Sequence, residues 1–214
     1  MGKKFWIVLL LIIVGFFGFF WLSGTKDAAE SGAVLANGTI VKHAIGKEDA
    51  TVKLVEYSDF QCSACLAYYP VIEQVIEKYK DQISFEYRHY PLTTIHRNAF
   101  AAARASEAAG KQDKFWEMYR LLFTNQSSWA DSSAAQSVFD GYAKQLGLDV
   151  ARFKTDFASS ETNGAINARV EEFNSLDLPK STPTFLLNGK KIAPSNTVEE
   201  FSKLIDEQLK LSSQ

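Results

Sequence analysis

The sequence predicts an α/β fold in which a block of helices separates a β-α-β unit from a closing β-β-α unit, preceded by an apolar N-terminal segment. Three observations support this order. β-branched and apolar runs are typical of strands, apolar residues at three- and four-residue spacing are typical of amphipathic helices, and one long uncharged segment lies near residue 1. With 214 residues, 46% of them hydrophobic, the chain is long enough for one domain with a sizeable core.

The segment from Phe5 to Leu22 is uncharged and almost wholly apolar, and Lys3 and Lys4 precede it. As a helix it would be about 27 Å long, close to the roughly 30 Å hydrocarbon core of a bilayer. We therefore expect residues 1–23 to form a cytoplasmic tip and an uncleaved membrane anchor, with the lysines inside and the rest of the chain outside the cytoplasm. A cleaved signal peptide is the alternative, because small residues follow the segment.

The next part of the chain predicts a linker and then a β-α-β unit. Residues 24–38 are small and polar, as in a linker, and residues 39–43 suggest a short edge strand. A better strand runs from Thr51 to Tyr57, a helix from Cys62 to about Lys80, and a further strand from Ile83 to Tyr90. Two parallel strands joined by a helix require a right-handed crossover.

The C-terminal half is expected to return to the sheet after a long helical stretch. Residues 97–176 are rich in Ala, Phe, Leu and charged side chains, and we expect four or five short helices there. Thr184–Leu187 and Lys190–Ala193 form a predicted hairpin around an Asn-Gly turn, and an amphipathic helix from Val198 to Leu211 closes the chain. Residues 39–214 are therefore predicted to form one domain.

The chain contains only two cysteines, Cys62 and Cys65, and they are close in sequence. A bridge that closes so small a loop gains little stability, so the pair indicates thiol-disulfide exchange. At a strand-to-helix junction the first sulfur lies at the helix N-terminus, which favours an anion. Cys62 is therefore the expected nucleophile and Cys65 the resolving thiol.

The cysteine pair has other conceivable uses. Zinc fits poorly, because four ligands are usual and the three histidines show no ligand spacing with the pair, so no metal site is predicted. An anchored copper(I) carrier or chaperone is an alternative, although no Met or His cluster supports it. An inert CxxC in a structural envelope protein is another. A net charge of −2 and no Lys/Arg-rich stretch argue against a nucleic-acid partner.

The sequence resembles the DsbA-like branch of the thioredoxin superfamily from about Gly46 to its C-terminus. The stretches that carry the resemblance are LVEYSDFQCSAC (Leu54–Cys65), RHYPLTTIHRNAFAAARASEAA (Arg88–Ala109), KFWEMYRLLF (Lys114–Phe123) and STPTFLLNGK (Ser181–Lys190). The resemblance implies a thioredoxin-like fold with an inserted helical subdomain. It also implies a protein thiol-disulfide oxidoreductase without a cofactor.

Further site residues are implied by this resemblance. Thr182 and Pro183 match a loop whose cis-proline lies against the cysteine pair, and they are expected to align an extended substrate segment. Glu56 matches a buried acid of the family. Because it shares a strand face with apolar residues, burial should raise its pKa, and it could then exchange a proton with Cys65. The alternative is a strand-end carboxylate that reaches solvent.

One departure from the family pattern concerns the direction of catalysis. Strong oxidants of this family have Pro-His between the cysteines, whereas this chain has Ser63 and Ala64. The loss of an imidazole beside the thiolate puts strong oxidising power in doubt. The expected function is to form or rearrange disulfides in exported proteins, with a redox partner that recycles the pair, and a reductase is the alternative.

Overall fold

The computed structural model describes residues 40–212. The predicted anchor (1–23) and linker (24–38) lie outside this range. Within it, none of the helices is both long enough and apolar enough to span a bilayer.

A five-stranded mixed sheet forms the centre of the domain, in the order β1-β3-β2-β4-β5. Its strands are β1 (His43–Gly46), β2 (Val52–Ser58), β3 (Ile83–His89), β4 (Thr184–Leu187) and β5 (Lys190–Ile192). The central strand β2 pairs parallel with β3 and antiparallel with β4. Helix α1 (Ser63–Tyr79) makes the crossover between the two parallel strands, so the predicted β-α-β unit is present.

Six helices fill the interval between β3 and β4, one or two more than expected. They are α2 (Ala99–Gly110), α3 (Phe115–Thr124), α4 (Gln126–Trp129), α5 (Ala135–Gln145), α6 (Val150–Ala158) and α7 (Ser160–Ser175). Only Ser159 separates the last two, where its side chain accepts a hydrogen bond from the Thr162 N–H and caps α7. Helix α8 (Val198–Ser212) closes the fold as predicted.

The sheet has a separate core on each face, which follows from the alternation of side chains along β2. Leu54 points to the larger core, beside Phe85 and Leu187 on the neighbouring strands and the apolar residues of α1 and α8. Tyr57 points the other way, where its ring stacks on Phe173 of α7 with the centroids 4.4 Å apart. Because both faces are covered, β2 is buried almost along its whole length.

The edge strand begins later than the sequence suggests. The expected strand at 39–43 is instead β1, whose pairing with β3 starts at His43 opposite Tyr87. Just before it, the Val41 carbonyl oxygen accepts two hydrogen bonds from the Arg169 guanidinium of α7, at 2.8 and 3.3 Å.

Two glycines determine how strands end. Asn188 and Gly189, both with positive φ (49° and 78°), form the tight turn of the β4–β5 hairpin, which confirms the predicted turn. Gly46 ends β1 with φ of 99°, and a Cβ on it would collide with the carbonyl oxygen of Ile83. This close backbone approach requires glycine.

Replacement of Gly46 by alanine should therefore lower the free energy of unfolding by about 2 kcal/mol or more, because the substitution adds both backbone strain and a steric clash. Urea denaturation measures this change. Gly141→Ala is the matched control. Gly141 lies in α5 with open space around its Cα, so this change should instead raise stability by about 0.5–1 kcal/mol. Equal effects of the two substitutions would contradict the assignment.

Candidate active site

Cys62 lies where the central strand β2 is followed by helix α1. After Ser58 the chain turns, the Cys62 N–H donates to the Asp59 carbonyl oxygen (3.1 Å), and Cys62 becomes the N-cap residue of α1. Its side chain makes no capping hydrogen bond. The N–H groups of the first helical turn therefore remain available to an anionic sulfur.

The two sulfur atoms have different surroundings. Both cysteines are free thiols, but Cys62 is 8% exposed whereas Cys65 is 0% exposed. The Cys65 thiol donates toward the Cys62 sulfur and lowers the pKa of Cys62 to about 5, assisted by the Thr182 hydroxyl and by the N–H groups of Cys65 and Ala64. Burial raises the pKa of Cys65 well above its usual value, and its hydrogen bond to Cys62 raises it further. At neutral pH, Cys62 is therefore the thiolate and Cys65 the thiol.

The loop before β4 lies against the first cysteine. The Thr182–Pro183 peptide bond is cis, as the resemblance implies, and the Cys62 thiol donates to the Thr182 carbonyl oxygen at 3.6 Å. The Thr182 hydroxyl is buried and has no other hydrogen-bond partner. It is thus free to donate to the sulfur once Cys62 ionises.

Glu56 lies on the core face of β2 behind the cysteines. It is 2% exposed and lies in register between Tyr87 of β3 and Phe185 of β4, so the expected burial is observed. Desolvation raises the pKa of Glu56 to about 7, the Ser58 hydroxyl opposes this shift, and the charge on Cys62 adds to it. A carboxyl group with this pKa can accept or release a proton near neutral pH.

Two hydroxyl groups complete the interior around Glu56. Ser58 lies two residues further along the same strand face, and its hydroxyl lowers the pKa of both Glu56 and Cys65. The Ser58 and Tyr87 hydroxyl oxygens are both buried without a hydrogen-bond partner. A charged Glu56 in turn raises the pKa of Cys65. The acid, the hydroxyls and the second thiol therefore form one buried polar group.

The loop between β2 and α1 is held by the buried carboxylate of Asp59. It accepts hydrogen bonds from the Gln61 N–H (2.7 Å), the Leu92 N–H (2.8 Å) and His96 Nδ1 (2.7 Å). Asp59 thus joins the two ends of the loop to the segment after β3. The imidazole of His96 therefore helps to hold this loop in place, through its hydrogen bond to Asp59.

Two side-chain amides connect the cysteine loop to the helical block, and sequence reasoning missed both of them. The Gln61 side chain donates to the Ala130 carbonyl oxygen and accepts from the Asn98 N–H. The Gln126 side chain donates to the carbonyl oxygens of Phe60 (2.7 Å) and Cys62 (3.3 Å). Gln61 lies in the loop before α1 and Gln126 at the start of the four-residue helix α4, and single amides at such positions carry no periodic signal.

The structure thus brings together all five predicted site residues: Cys62, Cys65, Glu56, Thr182 and Pro183. The two free thiols, one stabilised as an anion at a helix N-terminus and one buried behind it, can carry out thiol-disulfide exchange. Within residues 40–212, the side chains grouped closely enough to hold a metal ion are His43, His89 and Glu107, a group that includes neither cysteine.

The fold and the paired thiols at a strand-to-helix junction are those of a thioredoxin-like protein. The chain belongs to the thioredoxin family, since the family model described as thioredoxin matches residues 38–207. The predicted membership is therefore confirmed.

Solved structures share the fold at low sequence identity. Oxidised BdbD from Bacillus subtilis superposes with a TM-score of 0.70 at 20% identity, over 81% of this chain and 97% of that one. The alpha-DsbA1 of Wolbachia pipientis gives a TM-score of 0.71 at 18% identity, over 86% and 98%. These similarities show the fold, including the inserted helices.

Curated relatives match only with part of their length. The Na⁺/H⁺ antiporter NhaA 1 of Mycolicibacterium gilvum is 38% identical over 153 residues, which is 70% of this chain and 24% of the antiporter. The antiporter NhaA 1 of Salinispora arenicola is 35% identical over 165 residues, again 24% of its length. The chain thus spans about a quarter of these relatives, and their transport activity does not carry over to it.

The raised pKa of Glu56 predicts a pH-dependent loss of stability. Between the ordinary pKa of 4.5 and the folded value of about 7, the folded protein binds more protons at this site than the unfolded chain, so its unfolding free energy falls as pH rises. In the oxidised protein Cys62 cannot ionise. Between pH 4.5 and about 7, the unfolding free energy of the oxidised wild type should fall by about 3 kcal/mol relative to that of Glu56→Gln.

Urea unfolding at a series of pH values measures this difference. Glu77→Gln is the control, because Glu77 is an exposed carboxylate of α1, and its curve should run parallel to that of wild type. A parallel curve for Glu56→Gln as well would show that Glu56 is not protonated at neutral pH in the folded state.

Proposed function

We propose that this chain introduces disulfides into exported proteins, with Cys62 as the nucleophile and Cys65 as the resolving thiol. The observation that carries the proposal is the environment of Cys62. Its sulfur is stabilised as an anion at the N-terminus of α1, next to the Thr182–Pro183 loop. The DsbA-like fold and the thioredoxin family support the same chemistry.

In the proposed reaction the oxidised protein carries a Cys62–Cys65 disulfide. A substrate thiolate attacks the Cys62 sulfur, which forms a mixed disulfide and releases Cys65 as a thiolate. Glu56 protonates Cys65 through the buried polar group, because the pKa of Cys65 lies well above that of the acid. A second substrate thiolate then attacks the substrate sulfur and releases Cys62. Two electrons pass from the substrate dithiol to the protein, and a separate redox partner must remove them.

Stabilisation of the Cys62 thiolate favours the direction of oxidation. Only the reduced protein contains this anion, so a low pKa of Cys62 stabilises the reduced form and makes the disulfide a stronger oxidant. A shift from 9.0 to about 5 amounts to two pKa units of stabilisation at pH 7, or about 60 mV. The side chains of Ser63 and Ala64 therefore do not prevent oxidising power, since the stabilising groups are the Cys65 thiol, the Thr182 hydroxyl and backbone N–H groups.

The Thr182–Pro183 loop is the proposed substrate-aligning element. Pro183 has no N–H and lies just before Thr184, where the pairing of β4 with β2 begins. The backbone before the proline faces Cys62, as the contact from the Cys62 sulfur to the Thr182 carbonyl oxygen shows. An extended substrate segment placed along this loop would bring its own cysteine to the Cys62 sulfur.

The equilibrium of the full chain with glutathione tests the direction. We expect a reduction potential less negative than about −200 mV, whereas a value near the −270 mV or so of thioredoxin would favour a reductase. Thr182→Val, which removes the hydroxyl, should raise the pKa of Cys62 by up to about one unit and lower the potential by up to about 30 mV.

Thr182→Ser is the matched variant because it keeps the hydroxyl, and it should leave both quantities close to wild type. Thiolate absorbance against pH measures the pKa. An ordinary Cys62 pKa of about 8.5 in wild type would identify an inert pair and contradict the proposal.

We also propose that residues 1–23 anchor a domain of residues 39–214 outside the cytoplasm, through the linker 24–38. The apolar segment and its two preceding lysines support this orientation. A catalytic domain that faces the exported side would meet reduced substrates as they emerge.

Cell fractionation tests this arrangement. The full chain should sediment with membranes at its full mass, and a maleimide that cannot cross membranes should label Cys62 once the outer face of that membrane is exposed. Removal of residues 1–23 should abolish sedimentation. A shortened, soluble product of the full-length gene would instead identify a cleaved signal peptide.

A further inference from the structure

Two histidines and a glutamate converge inside the domain without a role in thiol exchange. Glu107 of α2 accepts hydrogen bonds through one carboxylate oxygen from His43 Nε2 (2.8 Å) and His89 Nε2 (3.0 Å). The three ligand atoms all lie within 4.8 Å of one another, and all three residues are buried. They come from β1, β3 and α2, and His43 is 64 positions from Glu107, so the grouping arises only on folding.

The surroundings hold the first histidine firmly. The ring of His43 stacks on that of Phe115, with centroids 3.5 Å apart and planes 5° from parallel. The edge of the His43 ring packs against Gly110. Any other residue at this position would place its Cβ 3.3 Å from His43 Cε1, which is closer than an ordinary van der Waals contact. A side chain fixed in this way is oriented before any ligand arrives.

A cavity of about 250 Å³ opens beside the group. His43 and Glu107 line it together with Gly110 and Thr162. The Thr162 hydroxyl is fully buried, belongs to this lining, and has no hydrogen-bond partner. The cavity can hold several waters, and an unpartnered hydroxyl in its wall can bond one of them.

We propose that His43, His89 and Glu107 form a binding site for a divalent transition-metal ion such as Zn²⁺, with water from the cavity as the remaining ligand. Two imidazole nitrogens and one carboxylate are a frequent three-residue set for such ions, and they leave a position open. Calcium fits worse, because it prefers oxygen ligands throughout.

Two of the three ligand-to-ligand distances need only a small adjustment, whereas the two histidine nitrogens, which lie within 4.8 Å of each other, would have to approach by up to about 1.5 Å. Ligands about 2.0–2.1 Å from a tetrahedral zinc ion lie about 3.3 Å from one another. The two histidine-to-glutamate distances would therefore open by about 0.3–0.5 Å. The metal takes the place of the two Nε2 protons, and each imidazole binds as its Nδ1–H tautomer or releases a proton.

Nearby cations already have anionic partners, which reduces their repulsion of a metal ion. The Arg169 guanidinium is paired with Glu86 (2.6 Å) and Glu172 (2.9 Å). Lys111, in the cavity wall, is paired with Glu161 (2.7 Å). A bound ion would join the edge strand, β3 and the first inserted helix, so its expected effect is to fasten the helical block to the sheet.

The test uses the full chain, stripped of metal and held as the Cys62–Cys65 disulfide so that no thiolate can bind the ion. We expect one equivalent of Zn²⁺ to bind with a dissociation constant below about 10 μM and to raise the thermal midpoint. His43→Gln and Glu107→Gln should each weaken binding by about 100-fold or more, since even outer-shell changes cost 10–100-fold.

Glu161→Gln is the matched control, because it removes a carboxylate from the same cavity but not from the proposed ligand set. Lys111 keeps Asp156 as an anionic partner at 3.6 Å, so this variant should bind Zn²⁺ within about threefold of wild type. Binding that survives in the two ligand variants, or that appears only in the reduced protein, would overturn the proposal. So would stabilisation by Ca²⁺ that does not depend on His43.

Wild-type protein alone gives a second readout, which does not depend on how the variants fold. The chain has only three histidines, so ring signals in NMR spectra can be followed individually. Paramagnetic Co²⁺ should broaden or shift two of them and leave His96, which bonds Asp59, much less affected. An equal effect on all three, or none at a stoichiometric dose, would identify the group as a hydrogen-bonded structural cluster without a metal.

Discussion

The arrangement of the active site depends on a difference in solvation between two sulfur atoms in the first turn of one helix. Cys62 keeps a slight exposure of 8% and meets the N–H groups of α1, so its negative charge is stabilised, whereas Cys65 is enclosed by the core and keeps its proton. Because β2 is covered on both faces, the part of the core behind Cys65 is shielded from water. The same exclusion of water keeps Glu56 protonated up to about pH 7, so that its carboxyl group can release a proton near neutral pH.

Such a difference persists only if the loop that carries Cys62 stays in place, and the helical block supplies that support. Asp59 collects three hydrogen bonds inside the loop, while Gln61 and Gln126 bond it to the first part of the block. The inserted helices therefore hold the cysteine loop in position as well as covering the sheet. A change in how α4 packs would reach the Cys62 carbonyl through a single side chain, Gln126.

The sequence was most informative where structure is local. The strand before Cys62, the helix after it and the Asn-Gly hairpin follow from patterns within a few residues, and the structure has them within one or two positions. The helical block was harder to divide, because a single capping residue, Ser159, separates α6 from α7. The loop supports and the His43–Glu107 contact join residues 37 to 69 positions apart, and such pairs leave no periodic signal.

The guanidinium of Arg169 has a mechanical consequence. It donates two hydrogen bonds to the Val41 carbonyl oxygen and forms ion pairs with Glu86 of β3 and Glu172 of α7. A force applied to the chain before Ile40 would therefore act on α7 and β3 before it acted on the β1–β3 ladder. Without Arg169, the hydrogen bonds of that ladder would open one pair at a time from the end of the strand. Arg169 therefore transfers a pulling force from the first described residues to α7 and β3. The junction of β2 and α1, which carries Cys62, does not bear this force.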